Sequence, residues 1–68
     1  MDRLINIYED QIDEFAATLR ELRLEAGMTQ AELAEKAGLS PRGIRRLEAG
    51  SYYPSRRTVT GLDRALKN

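Results

Sequence analysis

The chain has 68 residues, no cysteine and no histidine, and its 11 basic residues balance 11 acidic ones. It forms one small domain at most, and without cysteine or histidine it has no disulfide framework, zinc ribbon or imidazole base. A net charge of zero, taken alone, argues against a nucleic-acid partner. No apolar run approaches the roughly 20 residues that span a bilayer, which favours a cytoplasmic location without a membrane partner. No pattern indicates a metal, a cofactor or a small-molecule ligand.

Two helices are predicted in the first half of the chain. The first ends at Gly27, and its apolar residues recur three or four positions apart, at Phe15, Leu19, Leu22 and Ala26. The second helix runs from Gln30 to about Ala37, because Thr29 and Glu32 have the spacing of a capping box.

Two further helices follow after short connections. Ser40 is a good N-cap, and Pro41 stands at the first helical position, where proline is best tolerated. This third helix ends at Gly50, and a fourth begins near Ser55 with Val59, Leu62 and Leu66 facing inward. The pattern predicts an all-α, compact bundle of four to five short helices.

The third helix has an apolar and a basic side. At 100° per residue, Ile44 and Leu47 fall on the side that faces the core, with Glu48 beside them. Arg42 and Arg46 fall almost opposite, and Arg45 flanks them. An arginine row is either a solvated helix face or a surface that reads guanine, whose O6 and N7 acceptors match the guanidinium fork. The preceding helix and the turn of about three residues around Gly38 are typical of a helix-turn-helix.

Residues 19–40 read LRELRLEAGMTQAELAEKAGLS, and Ile44, Leu47–Gly50 and Pro54 continue the pattern. This run resembles the lambda-repressor-like helix-turn-helix proteins, also called the Cro/repressor or XRE type. The resemblance covers roughly residues 13 to 67, and it implies a sequence-specific regulator of transcription that binds double-stranded DNA rather than an enzyme.

The resemblance also implies roles for individual residues. Those expected to read base edges are Ser40, Pro41, Arg42, Arg45 and Arg46, with phosphate contact open for Arg45. Those expected at phosphates are Thr29, Gln30, Ser51, Tyr52, Tyr53, Arg56 and Arg57. Arg23 and Glu48 are expected to form a structural ion pair. Two alternatives stay open, since Thr29 can serve its helix cap alone and the two tyrosines can serve loop packing.

Residues 1–12 form an N-terminal extension to the helix-turn-helix domain at 13–68. Relatives usually have a fifth helix after the position of Asn68, and we expect the extension to compensate for it. Its three-four spacing continues that of the first helix, so one continuous helix back toward residue 3 is predicted. A dimer interface is expected at Leu4, Ile5, Tyr8 and Ile12. Packing on the fourth helix, a short strand over residues 4–8 and a frayed tail are the alternatives.

The resemblance favours a homodimeric repressor or autorepressor, bacterial or phage-encoded, that binds an inverted-repeat operator. Its two third helices would enter successive major grooves about 34 Å apart. The alternatives are a DNA-binding domain of a larger regulator and an antitoxin-like module whose N-terminal segment binds a partner protein.

The distribution of charge along the chain fits DNA binding better than the net charge of zero indicates. Residues 1–27 have seven acidic and three basic groups, net −4, and residues 28–68 have four acidic and eight basic groups, net +4.

Overall fold

The computed structural model describes residues 3–51 and 53–67, and over these ranges it contains helices and no strand. The elements are α1 (Arg3–Asp10), a 3-10 turn (Ile12–Glu14), α2 (Phe15–Glu25), α3 (Gln30–Ala37), α4 (Pro41–Glu48) and α5 (Arg56–Leu66). The predicted first to fourth helices correspond to α2–α5, and α1 lies in the N-terminal extension. The all-α prediction of four to five helices is confirmed.

The helices begin where the predicted capping residues stand. Thr29 Oγ1 accepts from the Glu32 N–H at 3.1 Å, and Glu32 Oε1 accepts from the Thr29 N–H at 2.8 Å, which completes the capping box. Ser40 caps α4, and Ser55 caps α5 by accepting from the Thr58 N–H at 3.2 Å. The C-cap of α3 is Gly38, whose φ of 72° is a left-handed conformation that favours glycine.

The core lies where the five α-helices meet. α3 packs on α4 and α5, α4 packs on α2, and α1 packs on both α2 and α5. The buried apolar residues of the core are Leu4, Phe15, Leu19, Leu33, Ala34, Ile44, Leu47, Val59, Leu62 and Ala65. Because α4 contributes Ile44 and Leu47 to this core, its opposite side must face solvent.

The prediction of one continuous first helix is wrong. Gln11 has φ −144° and ψ 59°, which interrupts the helix, and the chain re-enters helical conformation through the 3-10 turn. In a straight helix, Leu4 would lie about 16 Å along the axis from Phe15, at 1.5 Å per residue. The break brings α1 back over the bundle, so that Leu4 and Phe15 are buried in one core. The rings of Tyr8 and Phe15 pack edge to face, with their centroids 6.3 Å apart.

The extension therefore packs on α5, the predicted fourth helix. The strand alternative is wrong, because residues 4–8 are helical. Assigning Leu4 to a dimer interface also needs correction, because its side chain is 0% exposed within the single chain. Ile5, Tyr8 and Ile12 remain half-buried and reach the surface in part.

Candidate nucleic-acid interface

The exposed side of α4 brings together the five residues expected to read bases. Arg42, Arg45 and Arg46 are exposed on the side opposite the buried Ile44 and Leu47. Ser40 and Pro41 are exposed at the start of the same helix. A shallow groove is lined by Ser40, Arg42, Gly43 and Arg46. Planar guanidinium groups one helical turn apart, as at Arg42 and Arg46, suit bidentate contact with base edges. A helix face that is only solvated does not require this spacing.

The N-terminus of α4 has little spare space. The Ser40 hydroxyl accepts from the Gly43 N–H at 3.0 Å, and a Cβ on Gly43 would lie only 3.2 Å from that oxygen. Glycine at this position therefore gives room to the helix cap. The hydroxyl of Ser40 can still donate its own proton, so its expected role toward a base edge is compatible with capping.

At the start of α3, both expected phosphate contacts already have partners within the protein. The hydroxyl of Thr29 serves the capping box, and the side-chain amide of Gln30 donates to Glu48 Oε1 at 3.2 Å. Thr29 is exposed and Gln30 is half-buried. Thus the capping alternative accounts for Thr29 by itself, while the Gln30 amide is oriented by the end of α4.

The ion pair between Arg23 and Glu48 is present and nearly buried. Its two hydrogen bonds join α2 to the last residue of α4, and Arg23 Nη1 also donates to the carbonyl of Met28 at 2.9 Å. The hydrogen bond to Glu48 raises the pKa of Arg23, with a smaller Coulombic contribution of the same sign and an opposing effect of burial. The two hydrogen bonds of this pair therefore hold the end of α4 against α2.

The remaining expected phosphate contacts follow α4, with Arg56 and Arg57 at the start of α5. Ser51, Arg56 and Arg57 are exposed, and Tyr53 is 72% exposed. Tyr52 lies outside the described residues. Arg56 is held by the N-terminal extension, since its Nη1 donates to Glu9 Oε2 at 2.6 Å.

Two charged residues near this surface had no role in the sequence-based prediction. Arg64 lines a groove with Arg57 beside Gly38 and Leu39, the turn before α4. The sequence did contain a signal for Arg64: it stands seven residues after Arg57, and this spacing places both arginines on one face of α5. Glu9 is the other, and its contact with Arg56 follows only from the docking of α1.

α3, the turn at Gly38 and the outward-facing α4 define a helix-turn-helix. The family described as helix-turn-helix domain matches residues 14–67, and the chain belongs to this family. The predicted resemblance to helix-turn-helix DNA-binding proteins is thereby confirmed, and the protein is a DNA-binding regulator of the helix-turn-helix class.

Two relatives named as uncharacterized HTH-type transcriptional regulators are similar to the chain. One, from Methanothermobacter thermautotrophicus, is 46% identical over 48 residues, which are 71% of this chain and 70% of the relative. The other, from Archaeoglobus fulgidus, is 51% identical over 46 residues, 68% of this chain and 66% of the relative. No solved structure matches the chain.

The described residues contain neither a membrane-spanning helix nor a cluster of metal-binding side chains. Within residues 3–51 and 53–67, no helix has both the length and the apolar character needed to cross a bilayer. The same residues hold no group of three or more carboxylate, thiol or imidazole side chains arranged to bind a metal ion.

Proposed function

We propose that the protein is a sequence-specific transcriptional repressor that binds double-stranded DNA as a homodimer, with α4 in the major groove of each half-site. The observation that carries the proposal is the two-sided character of α4, whose Ile44 and Leu47 are buried while Arg42, Arg45 and Arg46 are exposed. A helix with its apolar side fixed in a core can present the other side at constant orientation. Such a repressor acts in the cytoplasm, in a bacterium or in a phage-infected cell.

Base reading in this proposal comes from the N-terminal half of α4. Arg42 and Arg46 are four residues apart, so their guanidinium groups reach neighbouring base pairs rather than the same one. Each bidentate contact with a guanine discriminates against other bases by about 1–3 kcal/mol. Ser40 and Pro41 approach the first base edges, and Arg45 lies at the flank where a base or a phosphate can be reached.

Phosphate contacts in this proposal surround α4 on two sides. Thr29 and Gln30 lie at the start of α3, and Ser51, Tyr52, Arg56 and Arg57 follow α4. Tyr53 is assigned instead to the dimer surface. Contacts of this kind fix the register of a protein on the duplex and do not depend on base sequence. Arg64 joins them through the groove that it shares with Arg57.

Dimerisation in this proposal uses the surface beside α1. A groove is lined by Tyr8, Glu9, Ile12 and Tyr53, and Tyr53 is 72% exposed there. Covering this surface with a second copy would bury aromatic area next to the expected phosphate contacts. Two copies related by a two-fold axis would present their α4 helices to an inverted repeat.

Sedimentation equilibrium of Tyr53→Ser without DNA tests the dimer. If Tyr53 is central to the interface, its loss raises the dimer dissociation constant at least about tenfold. Leu24→Ser is the matched control, because Leu24 is 55% exposed and lies on α2. Equal effects of the two substitutions, or a monomeric wild type, would refute the dimer proposal without affecting DNA recognition.

Selection of bound sequences from a random duplex library tests the function as a whole. The expected motif is an inverted repeat with guanine in each half, at the positions that Arg42 and Arg46 reach. A library that shows no enriched motif would refute sequence-specific binding, and a direct repeat or single half-site would refute the two-fold arrangement.

The rival function, in which an N-terminal segment masks a partner protein, has less support. Leu4 is buried in the chain's own core and α1 packs on α5, so much of this segment is already covered.

A further inference from the structure

The N-terminal helix touches the expected DNA interface at one point. Glu9, near the end of α1, accepts a hydrogen bond of 2.6 Å from Arg56, the first residue of α5. The two residues are 47 positions apart, so their contact depends on the docking of α1 against the bundle. The acidic end of α1 is thereby placed beside the segment that leads from α4 to α5.

The ion pair between Glu9 and Arg56 contributes little to the stability of the fold. The side chains of Arg56 and Glu9 are 67% and 43% exposed, and ion pairs with that much access to solvent contribute little to folding. α1 is instead held by its apolar face, with Leu4 fully buried and Ile5 and Tyr8 packed against the core. Removing the Glu9 charge should therefore leave α1 docked.

The contact also occupies an expected DNA ligand. A guanidinium group binds carboxylate and phosphate oxygens with the same donor geometry, so Glu9 and a DNA phosphate compete for one partner. Arg56 is one of the residues proposed above to bind phosphate. While Glu9 is bonded to Arg56, the positive charge of Arg56 is compensated. Arg56 can contact a phosphate only if this ion pair is broken.

We propose that Glu9 is an internal competitor of the DNA backbone: its carboxylate holds Arg56 in the free protein and is exchanged for a phosphate group when DNA binds. This inference rests on the proposed DNA-binding function. Its consequence is that α1 lowers the affinity for DNA of arbitrary sequence, where phosphate contacts supply almost all of the binding energy. Because phosphate contacts form on any duplex, Glu9 lowers the affinity for all sequences without contacting a base.

The test compares Glu9→Gln with Asp10→Asn in the full chain. Asp10 is the next residue of α1, it is exposed, and it has no ion pair with the described part of the chain. Both substitutions remove one negative charge, so their difference isolates the contact with Arg56 from the general change in charge. Binding to a random-sequence duplex is measured by fluorescence anisotropy at salt concentrations between about 50 and 200 mM.

Glu9→Gln is expected to tighten binding to the random duplex about threefold more than Asp10→Asn, and to steepen the salt dependence by about one phosphate contact. In an Arg56→Gln background, the effect of Glu9→Gln should fall to that of Asp10→Asn. Thermal unfolding should be almost unchanged, which shows that α1 stays docked.

Three results would overturn the inference while DNA binding itself stands. They are equal effects of Glu9→Gln and Asp10→Asn, an effect of Glu9→Gln that survives in the Arg56→Gln background, and weaker binding by Glu9→Gln, which would mean that Glu9 orients Arg56 toward DNA. If no variant binds any duplex, the proposed function is wrong and this inference with it.

Discussion

Arg23 and Glu48 meet through two hydrogen bonds, Nε to Oε2 at 2.6 Å and Nη2 to Oε1 at 3.1 Å, although 25 residues separate them. Their side chains are only 10% and 5% exposed. Because the same carboxylate also accepts from Gln30, it joins α2, α3 and the end of α4. The orientation of the arginine side of α4 therefore depends on one buried acid.

Glu48→Gln should lower the free energy of unfolding by about 3 kcal/mol, because it leaves the charge of Arg23 buried without an ionic partner. Urea denaturation followed by circular dichroism measures the change. Glu35→Gln serves as the control, since Glu35 is an exposed acid on α3. Similar losses for the two variants would show that the pair does not hold the helices together.

Leu4→Ala should destabilise the protein by about 2–5 kcal/mol, because it opens a cavity beneath α1. The leucine is 0% exposed, whereas Asn6 on the same helix is exposed and Asn6→Ala is the control. A value near zero for Leu4→Ala in chemical denaturation would mean that the extension is frayed in solution.

Gly43→Ala should be nearly neutral, because two effects oppose each other. Alanine improves helix propensity by about 1 kcal/mol. Its Cβ, however, would lie 3.2 Å from Ser40 Oγ and displace the cap, which costs about 1 kcal/mol. In a Ser40→Ala background the second effect is gone, so Gly43→Ala should then stabilise. A double-mutant cycle measures this coupling, and simple additivity would contradict it.

Arg46→Ala should relax base preference at one position of each half-site, whereas Arg57→Ala should weaken binding to all sequences alike. Loss of a bidentate base contact removes about 1–3 kcal/mol of discrimination, while loss of a phosphate contact reduces the salt slope by about one unit. Competition binding with single-base variants of the selected site distinguishes the two. Equal losses on cognate and random DNA for Arg46→Ala would contradict its assignment.

The capping box gives α3 a defined dependence on pH. The hydrogen bond from the Thr29 backbone N–H lowers the pKa of Glu32 below its ordinary value of 4.5. Since the pKa is lower in the folded state, this contribution to stability is present above pH 4.5 and disappears as the pH falls through the folded-state pKa. Glu32→Gln keeps an acceptor but does not titrate, so the stability difference from the wild type should change below pH 4.5 and stay constant above it. Denaturation curves across this range measure the difference, and a constant difference throughout would refute the assignment.

Local sequence patterns predicted the helix-turn-helix well. The caps at Thr29, Ser40 and Ser55 and the turn at Gly38 depend on a few neighbouring residues, so spacing alone locates them. The sidedness of α4 likewise follows from helical periodicity.

The fold of the extension could not be read in that way. Apolar spacing passes through Gln11 without interruption, and a straight helix and a helix folded back over its neighbour both satisfy it. Which of the two forms depends on whether Leu4 finds a cavity in the bundle. The contact between Glu9 and Arg56 also depends on the docking of α1 against the bundle, and no local sequence pattern predicts it.

The packing of α1 on α5 places the earliest helix of the chain against the last one described. During synthesis, α1 is made before α5, so the packing of α1 on α5 is completed only after the residues of α5 have emerged. Until then, the apolar face of α1 cannot pack on α5. The order of translation thus makes the closing of the core a late event, governed by the helix that carries Arg56 and Arg57.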